Sequence, residues 1–305
     1  MWPSRAAEKQ RIATALLHHA ATVRALPGLA DPQALDVLAM QFVASLRRED
    51  YYRAVQRKPV SARRANPNNP SFDPERAVAY YVQQQDLDEA AWLVFLMTHF
   101  ARPTDTGWLR LQDVYGRLGA GIWNWATVSG NPAAFTRWLA DNGQKIRGKF
   151  GNHRKYESLR PDANRNIGLV VASYIGWIGN GGHGRFFANS IRRAGNDPHV
   201  IFDVLYQEMP VVSFGRLAKF DYLALIGRYR IAPIGAGSAY LDGATGPAKG
   251  ARLLFDGRTD SPTPTNDLQG MLDALDNDLQ VGMQVMEDAL CNWQKSPLAF
   301  VHFKG

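Results

Sequence analysis

Apolar residues recur at three- and four-residue spacing along most of the chain, between recognisable helix-start and helix-stop signals, and no segment shows the strict alternation of a half-buried strand. Such a chain must bury helix against helix, so the pattern predicts an all-α fold. Residues 6–26 form the first periodic stretch, stopped by Pro27-Gly28. Asp31 and Pro32 read as cap and first turn of a second helix, reaching about residue 48. Residues 57–74 are basic and turn-rich and read as a surface loop. Asp86 and Glu89 carry the spacing of a capping box, ahead of an apolar helix over 90–100. Asn131-Pro132 opens a helix that Asn142-Gly143 closes, and 163–179 reads as a helix apolar on most sides. After a glycine-rich break at 179–184, helices are expected over 198–208, 213–230 and 265–293.

Composition narrows the partner. The chain has 305 residues, 46% of them hydrophobic, and 35 Lys and Arg against 28 Asp and Glu, a formal charge of +7. A basic surplus favours a polyanion, because cations displace counterions from phosphates. One cysteine, Cys291, excludes an intramolecular disulfide framework and a cysteine zinc cage, and reads as a buried structural thiol in a reducing compartment. The start, Met1-Trp2-Pro3-Ser4-Arg5, lacks a basic region followed by an apolar run. The longest apolar stretch, 167–178, contains Gly168, Ser173 and Gly176, is too short to cross a bilayer, and reads as a buried helix. A cytoplasmic protein with no membrane contact is expected. The seven histidines are scattered, and neither a zinc-deaminase signature nor a Gly-x-Ser-x-Gly elbow is present, so neither metal nor cofactor is expected.

Four segments carry candidate chemistry. Gly148-Lys149-Phe150-Gly151-Asn152-His153-Arg154-Lys155-Tyr156-Glu157-Ser158-Leu159 gathers cations, an imidazole, a phenol and a carboxylate in one loop. Lys149, Asn152, Arg154 and Lys155 suit phosphate contacts, Tyr156 suits stacking on a base, and His153 or Glu157 suits proton transfer. The plainer reading is a solvated basic loop in which Glu157 pairs with a neighbouring cation. In Met209-Pro210-Val211-Val212-Ser213-Phe214-Gly215-Arg216, a turn leads to a helix whose Asp221 stands among apolar residues. A carboxylate there is either paired, with Arg228 or Lys219, or functional. The small residues of 235–250 either let backbone approach a ligand or form a long surface loop. His99 and Trp108, beside Asp105, are core side chains or walls of a base pocket.

The strings Phe150-Gly151-Asn152-His153-Arg154-Lys155-Tyr156-Glu157-Ser158-Leu159, Gly237-Ser238-Ala239-Tyr240-Leu241 and Gly243-Ala244-Thr245-Gly246-Pro247 resemble the alpha-glutamyl/putrescinyl thymine pyrophosphorylase family, clade 3. The resemblance covers most of the chain. It implies a helical fold of the helix-hairpin-helix DNA-glycosylase type, two lobes with the active-site cleft between them, and double-stranded DNA carrying modified bases as substrate. The expected division is a catalytic domain over 1–260, its lobes meeting near 143–162, and a helical tail over 261–305 packed on it. In that fold type the catalytic aspartate follows a phosphate-gripping hairpin, and its nearest match here is Asp221. The usual Leu-Pro-Gly-Val-Gly of the hairpin is replaced by Met209-Pro210-Val211-Val212-Ser213-Phe214-Gly215.

The expected activity is a DNA glycosylase that flips and excises a bulky hypermodified pyrimidine, such as a glucosylated hydroxymethylcytosine, from phage DNA, acting as a monomer in defence. Asp221, His153 and Glu157 are its catalytic candidates. Lys149, Asn152, Arg154, Lys155, Tyr156, Ser213, Arg216 and Lys219 are its DNA contacts, and His99, Trp108 and Tyr240 its base pocket. One alternative is a transferase joining an amino acid or polyamine to a pyrophosphorylated hydroxymethyl pyrimidine in DNA. Another is a non-enzymatic module that senses modified DNA.

Overall fold

The computed structural model describes residues 2–303. Among them the chain is helical and contains no strand, the one β-bridge joining Ser158 to Asn166. The first helices are α1 (Ala6–Thr22), α2 (Pro32–Arg57), α3 (Ala62–Ala65), α4 (Pro74–Gln83) and α5 (Leu87–Phe100). Then come α6 (Leu109–Tyr115), α7 (Trp125–Gly130), α8 (Pro132–Asn142), α9 (Ile167–Ile178) and α10 (Gly182–Ala194). The last are α11 (Pro198–Glu208), α12 (Arg216–Arg228), α13 (Thr245–Asp256), α14 (Thr265–Leu279) and α15 (Met283–Trp293). No described helix is long and apolar enough to cross a membrane.

The expected caps close as local chemistry dictates. Asn131 accepts from Ala134 N, Asp197 from His199 N and Val200 N, and Asp86 from Glu89 N. Glu89 does not complete a capping box. Its carboxylate is buried and accepts instead from the Tyr115 hydroxyl at 2.5 Å and the Trp125 amide at 2.7 Å. The helix expected over 163–179 begins only at Ile167, because Asn166 caps Leu169 N and spends its amide on Pro161 O and Ala163 O. The tail is two helices, broken where Gln280 takes the left-handed conformation. The last part of the segment 235–250, expected as a glycine-rich loop, belongs to the helix Thr245–Asp256. A Cβ on Gly250 would lie 2.4 Å from Leu290 O and one on Gly246 2.6 Å from Cys291 Sγ, so these glycines serve close helix packing.

The chain divides into two compact units, 52–235 and 1–51 with 236–305. This differs from the expected partition: residues 261–305 share a unit with both 1–51 and 236–260, and the segment 143–162 lies inside the 52–235 unit. In the 1–51/236–305 unit, α13 packs on α14 and α15, and α1 on α14. His19 Nδ1 meets Asp278 Oδ2 at 2.7 Å there, and Arg48 pairs with Asp288. The 52–235 unit is organised round α5, against which α4, α6, α7, α10 and α12 pack. Every residue from Glu89 to Phe100 is buried.

The basic surplus is confined to one unit. Residues 52–235 contain 24 Lys and Arg against 14 Asp and Glu, whereas the rest of the chain contains 11 against 14.

Candidate active site

The C-terminal end of α5 builds the site. Ala101 leaves the helix at φ 47°, and Gly151 docks there, its amide donating to Phe100 O at 2.8 Å. A Cβ on Gly151 would lie 2.6 Å from that of Ala101, so only glycine lets the loop approach this closely. Gly151 is followed by a single 3-10 turn, Asn152–Arg154, which sends Arg154 inward and leaves His153 and Lys155 outside.

Arg154, expected at phosphates, is instead 7% exposed. Its Nη1 donates to Ser213 O at 2.8 Å, Nη2 to Ser213 Oγ at 3.3 Å and to His99 Nδ1 at 3.3 Å, and Nε to His99 O at 3.3 Å. The guanidinium lies over the Phe214 ring, 4.9 Å from its centroid. Burial lowers the Arg154 pKa from its ordinary value, the charges of Glu157 and Asp221 oppose that, and Arg165 adds to it. A cation so desolvated and so fully engaged holds the protein together rather than a phosphate.

Glu157 faces it from one turn on. The Ser213 hydroxyl donates to Glu157 Oε1 at 2.6 Å, and Arg154 Nη2 and Arg165 Nε each lie 3.6 Å from the same oxygen. The side chain is 1% exposed, and Oε2 has no hydrogen-bond partner among the described residues. The Ser158–Asn166 bridge brings Arg165 here: Ser158 N donates to Arg165 O at 3.0 Å. Arg165 went unread in the sequence because nothing local marks it. Ser213 sits in the turn before α12 at φ 65°, an uncommon conformation for a residue with a side chain.

His99 is fully buried, stacked on Phe95 and edge-on to Phe150. Burial first, and the Arg154 charge second, hold its pKa well below the ordinary value, so the ring is neutral with Nδ1 accepting. The proton is then on Nε2, an enclosed atom with no hydrogen-bond partner among the described residues. Trp108 is half-buried at the start of α6, and Tyr240 belongs to the 1–51/236–305 unit.

Asp221 is exposed on α12, so the premise that it would have to be buried among apolar neighbours does not hold. Its charge acts on Arg154. On the loop that carries Arg154, the residues Asn152, His153, Lys155 and Tyr156 are exposed, with the Lys155 ammonium 5.1 Å from the Tyr156 ring centre. Lys149 is paired with Asp105 at 2.8 Å, which lowers the Asp105 pKa. Arg216 lies over Phe220, and Lys219 Nζ donates to Tyr206 O at 3.2 Å, with burial lowering its pKa.

At the other end of α5 a second polar chain was missed by sequence reasoning. Asp88 Oδ1 accepts from His183 N at 2.5 Å and pairs with His183 Nδ1 at 2.8 Å. His183 Nε2 lies 2.6 Å from Tyr174 OH, which lies 2.9 Å from Tyr222 OH. Asp88 fixes the tautomer: Nδ1 donates to it, Nε2 accepts from Tyr174, and Tyr174 accepts from Tyr222. The His183 hydrogen bond lowers the Asp88 pKa, while burial lowers that of His183 and raises those of Tyr174 and Tyr222. The chain ties α5, α9, α10 and α12 together.

A model of the alpha-glutamyl/putrescinyl thymine pyrophosphorylase clade 3 family matches residues 33–305. The chain matches no curated protein and no solved structure.

Proposed function

The chain belongs to the alpha-glutamyl/putrescinyl thymine pyrophosphorylase clade 3 family, and from that membership we propose that it is a DNA glycosylase for a bulky modified pyrimidine, acting in defence against phage. The observation that carries this reading is an accessible carboxylate beside a rigid, charge-balanced interior. Asp221 is exposed on α12, and the turn that starts α12 is held by Arg154 and Glu157 through Ser213.

In the proposed reaction the target nucleotide leaves the stack, as enzymes acting on duplex bases require. The bond between C1′ and the base nitrogen breaks, and its electron pair leaves with the base. Asp221 stabilises the positive charge that develops on the sugar and orients a water toward C1′. The water forms the new C1′–O bond, and its proton passes to Asp221. Glu157 is enclosed, so its role is to position: it holds Ser213 and balances Arg154 and Arg165. His153, exposed one residue before Arg154, is the candidate to protonate the departing base. Lys155 contacts the backbone and Tyr156 stacks.

The test incubates the purified protein with DNA from phages bearing different modified pyrimidines, followed by mass spectrometry of the small-molecule fraction. Release of a free modified base, absent in Asp221→Asn, is the expected result. Intact DNA without free base overturns the glycosylase. Incorporation of a labelled amino acid or polyamine into DNA bearing a pyrophosphorylated hydroxymethyl pyrimidine would then identify the transferase.

A further inference from the structure

Helix α9 is apolar almost all round, and such a helix is ordinarily enclosed. One stripe of it is open: Leu169, Ala172 and Gly176 are exposed at helical spacing, Leu169 by 51%. Val212, 39% exposed, adjoins this helix, because its amide donates to Ser173 Oγ at 2.9 Å, one turn after Leu169. Tyr156, 69% exposed, precedes Glu157, whose Oε1 accepts from Ser213, the residue after Val212. Four large apolar side chains are exposed among the described residues of the 52–235 unit: Leu169 and Val212, linked through Ser173, Tyr156, linked to Val212 through the Glu157–Ser213 bond, and Val200.

The patch is rimmed by cations. Lys155 adjoins Tyr156, and Arg165 lies four residues before Leu169, both exposed. This unit also carries the whole basic surplus of the chain. An apolar patch in a cationic rim matches a duplex opened at one step, whose base faces are apolar and whose flanks are phosphates.

We propose that Leu169 and Val212, with Tyr156, form the surface that enters the DNA helix and covers the bases left unstacked when a nucleotide is extruded. Lys155 and Arg165 hold the flanking phosphates. The proposal rests on DNA being the substrate and not on which bond is broken.

The test uses the full chain and an unmodified duplex with one mismatch and 2-aminopurine as the neighbouring base, so no catalysis is needed. Wild-type protein is expected to raise the fluorescence as the base unstacks. Leu169→Ala with Val212→Ser, and separately Tyr156→Ala, are expected to lose that rise and to bind the mismatched duplex about tenfold more weakly. All three side chains are exposed, so an unchanged melting temperature verifies folding. No fluorescence rise with wild-type protein overturns the proposal, as does an equal rise with the variants. A wild-type dimer that the variants abolish, seen by sedimentation, would make the patch an interface between copies and also overturn it. Unstacking without base release in the phage-DNA assay would remove the glycosylase reading and leave this surface standing.

Discussion

The Ser213 hydroxyl lies 2.6 Å from Glu157 Oε1, joining the turn before α12 to a loop that docks on the end of α5. Ser213 makes this bond from φ 65°. The geometry separates two substitutions. Ser213→Ala loses the hydrogen bond and keeps the strain, whereas Ser213→Gly loses the bond and relaxes the backbone. Denaturant unfolding is expected to show Ser213→Ala as the less stable by about 1 kcal/mol, with both variants impaired in activity.

Arg154 and Glu157 balance one another in the interior. Arg154→Met leaves the buried carboxylate with only the exposed Arg165 as counter-ion and is expected to cost about 3 kcal/mol. The double variant Arg154→Met with Glu157→Gln is expected to recover a substantial part of that loss. A double-mutant cycle by denaturant unfolding measures the recovery; additive losses would show that the two side chains are not coupled.

Burial pushes the Glu89 carboxyl up from 4.5 to about 7, against the opposing hydrogen bonds of Tyr115 and Trp125 N. Its folded pKa is raised, so its contribution is fully present below the unfolded value and declines as pH rises from 4.5 to about 7. Stability from this group is thus expected to fall over that window, by up to about 3 kcal/mol. Glu89→Gln is expected to be less stable at low pH, because its amide opposes one of the two donors, and to lack this pH-dependent loss. Unfolding measured across the window for both proteins compares the slopes.

Gly182 starts α10 at φ 70°, and a Cβ there would lie 2.6 Å from the Asp88 carboxylate. Gly182→Ala is expected to break the Asp88–His183 contact and to destabilise the fold by about 2 kcal/mol or more. Loss of the His183 side-chain proton signal by NMR would report the broken contact directly.

Asp221→Asn keeps the size of an exposed side chain and removes a charge that also acts on Arg154. Its stability is expected to stay within about 0.5 kcal/mol of wild type while base release is lost. A variant that melted much earlier would instead point to a structural carboxylate.

The sequence by itself determined most of the longer helices, though not Thr245–Asp256, whose glycines are explained only by close packing. Caps such as Asn131 and Asp197 bond to amides two or three residues away, and apolar spacing is read within a turn or two. It also carried the strings that resemble the family and marked both segments that meet at Ser213. Only the tertiary structure decided what the residues of those segments do. Arg154 and Lys155 are adjacent cations, alike in sequence, yet a single 3-10 turn buries one and exposes the other. Arg165 and Glu157 meet through a β-bridge, and Asp88 reaches Tyr222 through His183 and Tyr174. The charge surplus of one unit is also invisible until the chain is known to divide at 51/52 and 235/236. Helix formation depends on neighbours a few residues apart, which a sequence displays. Burial of a charge depends on segments far apart in the chain, and their meeting is decided by packing.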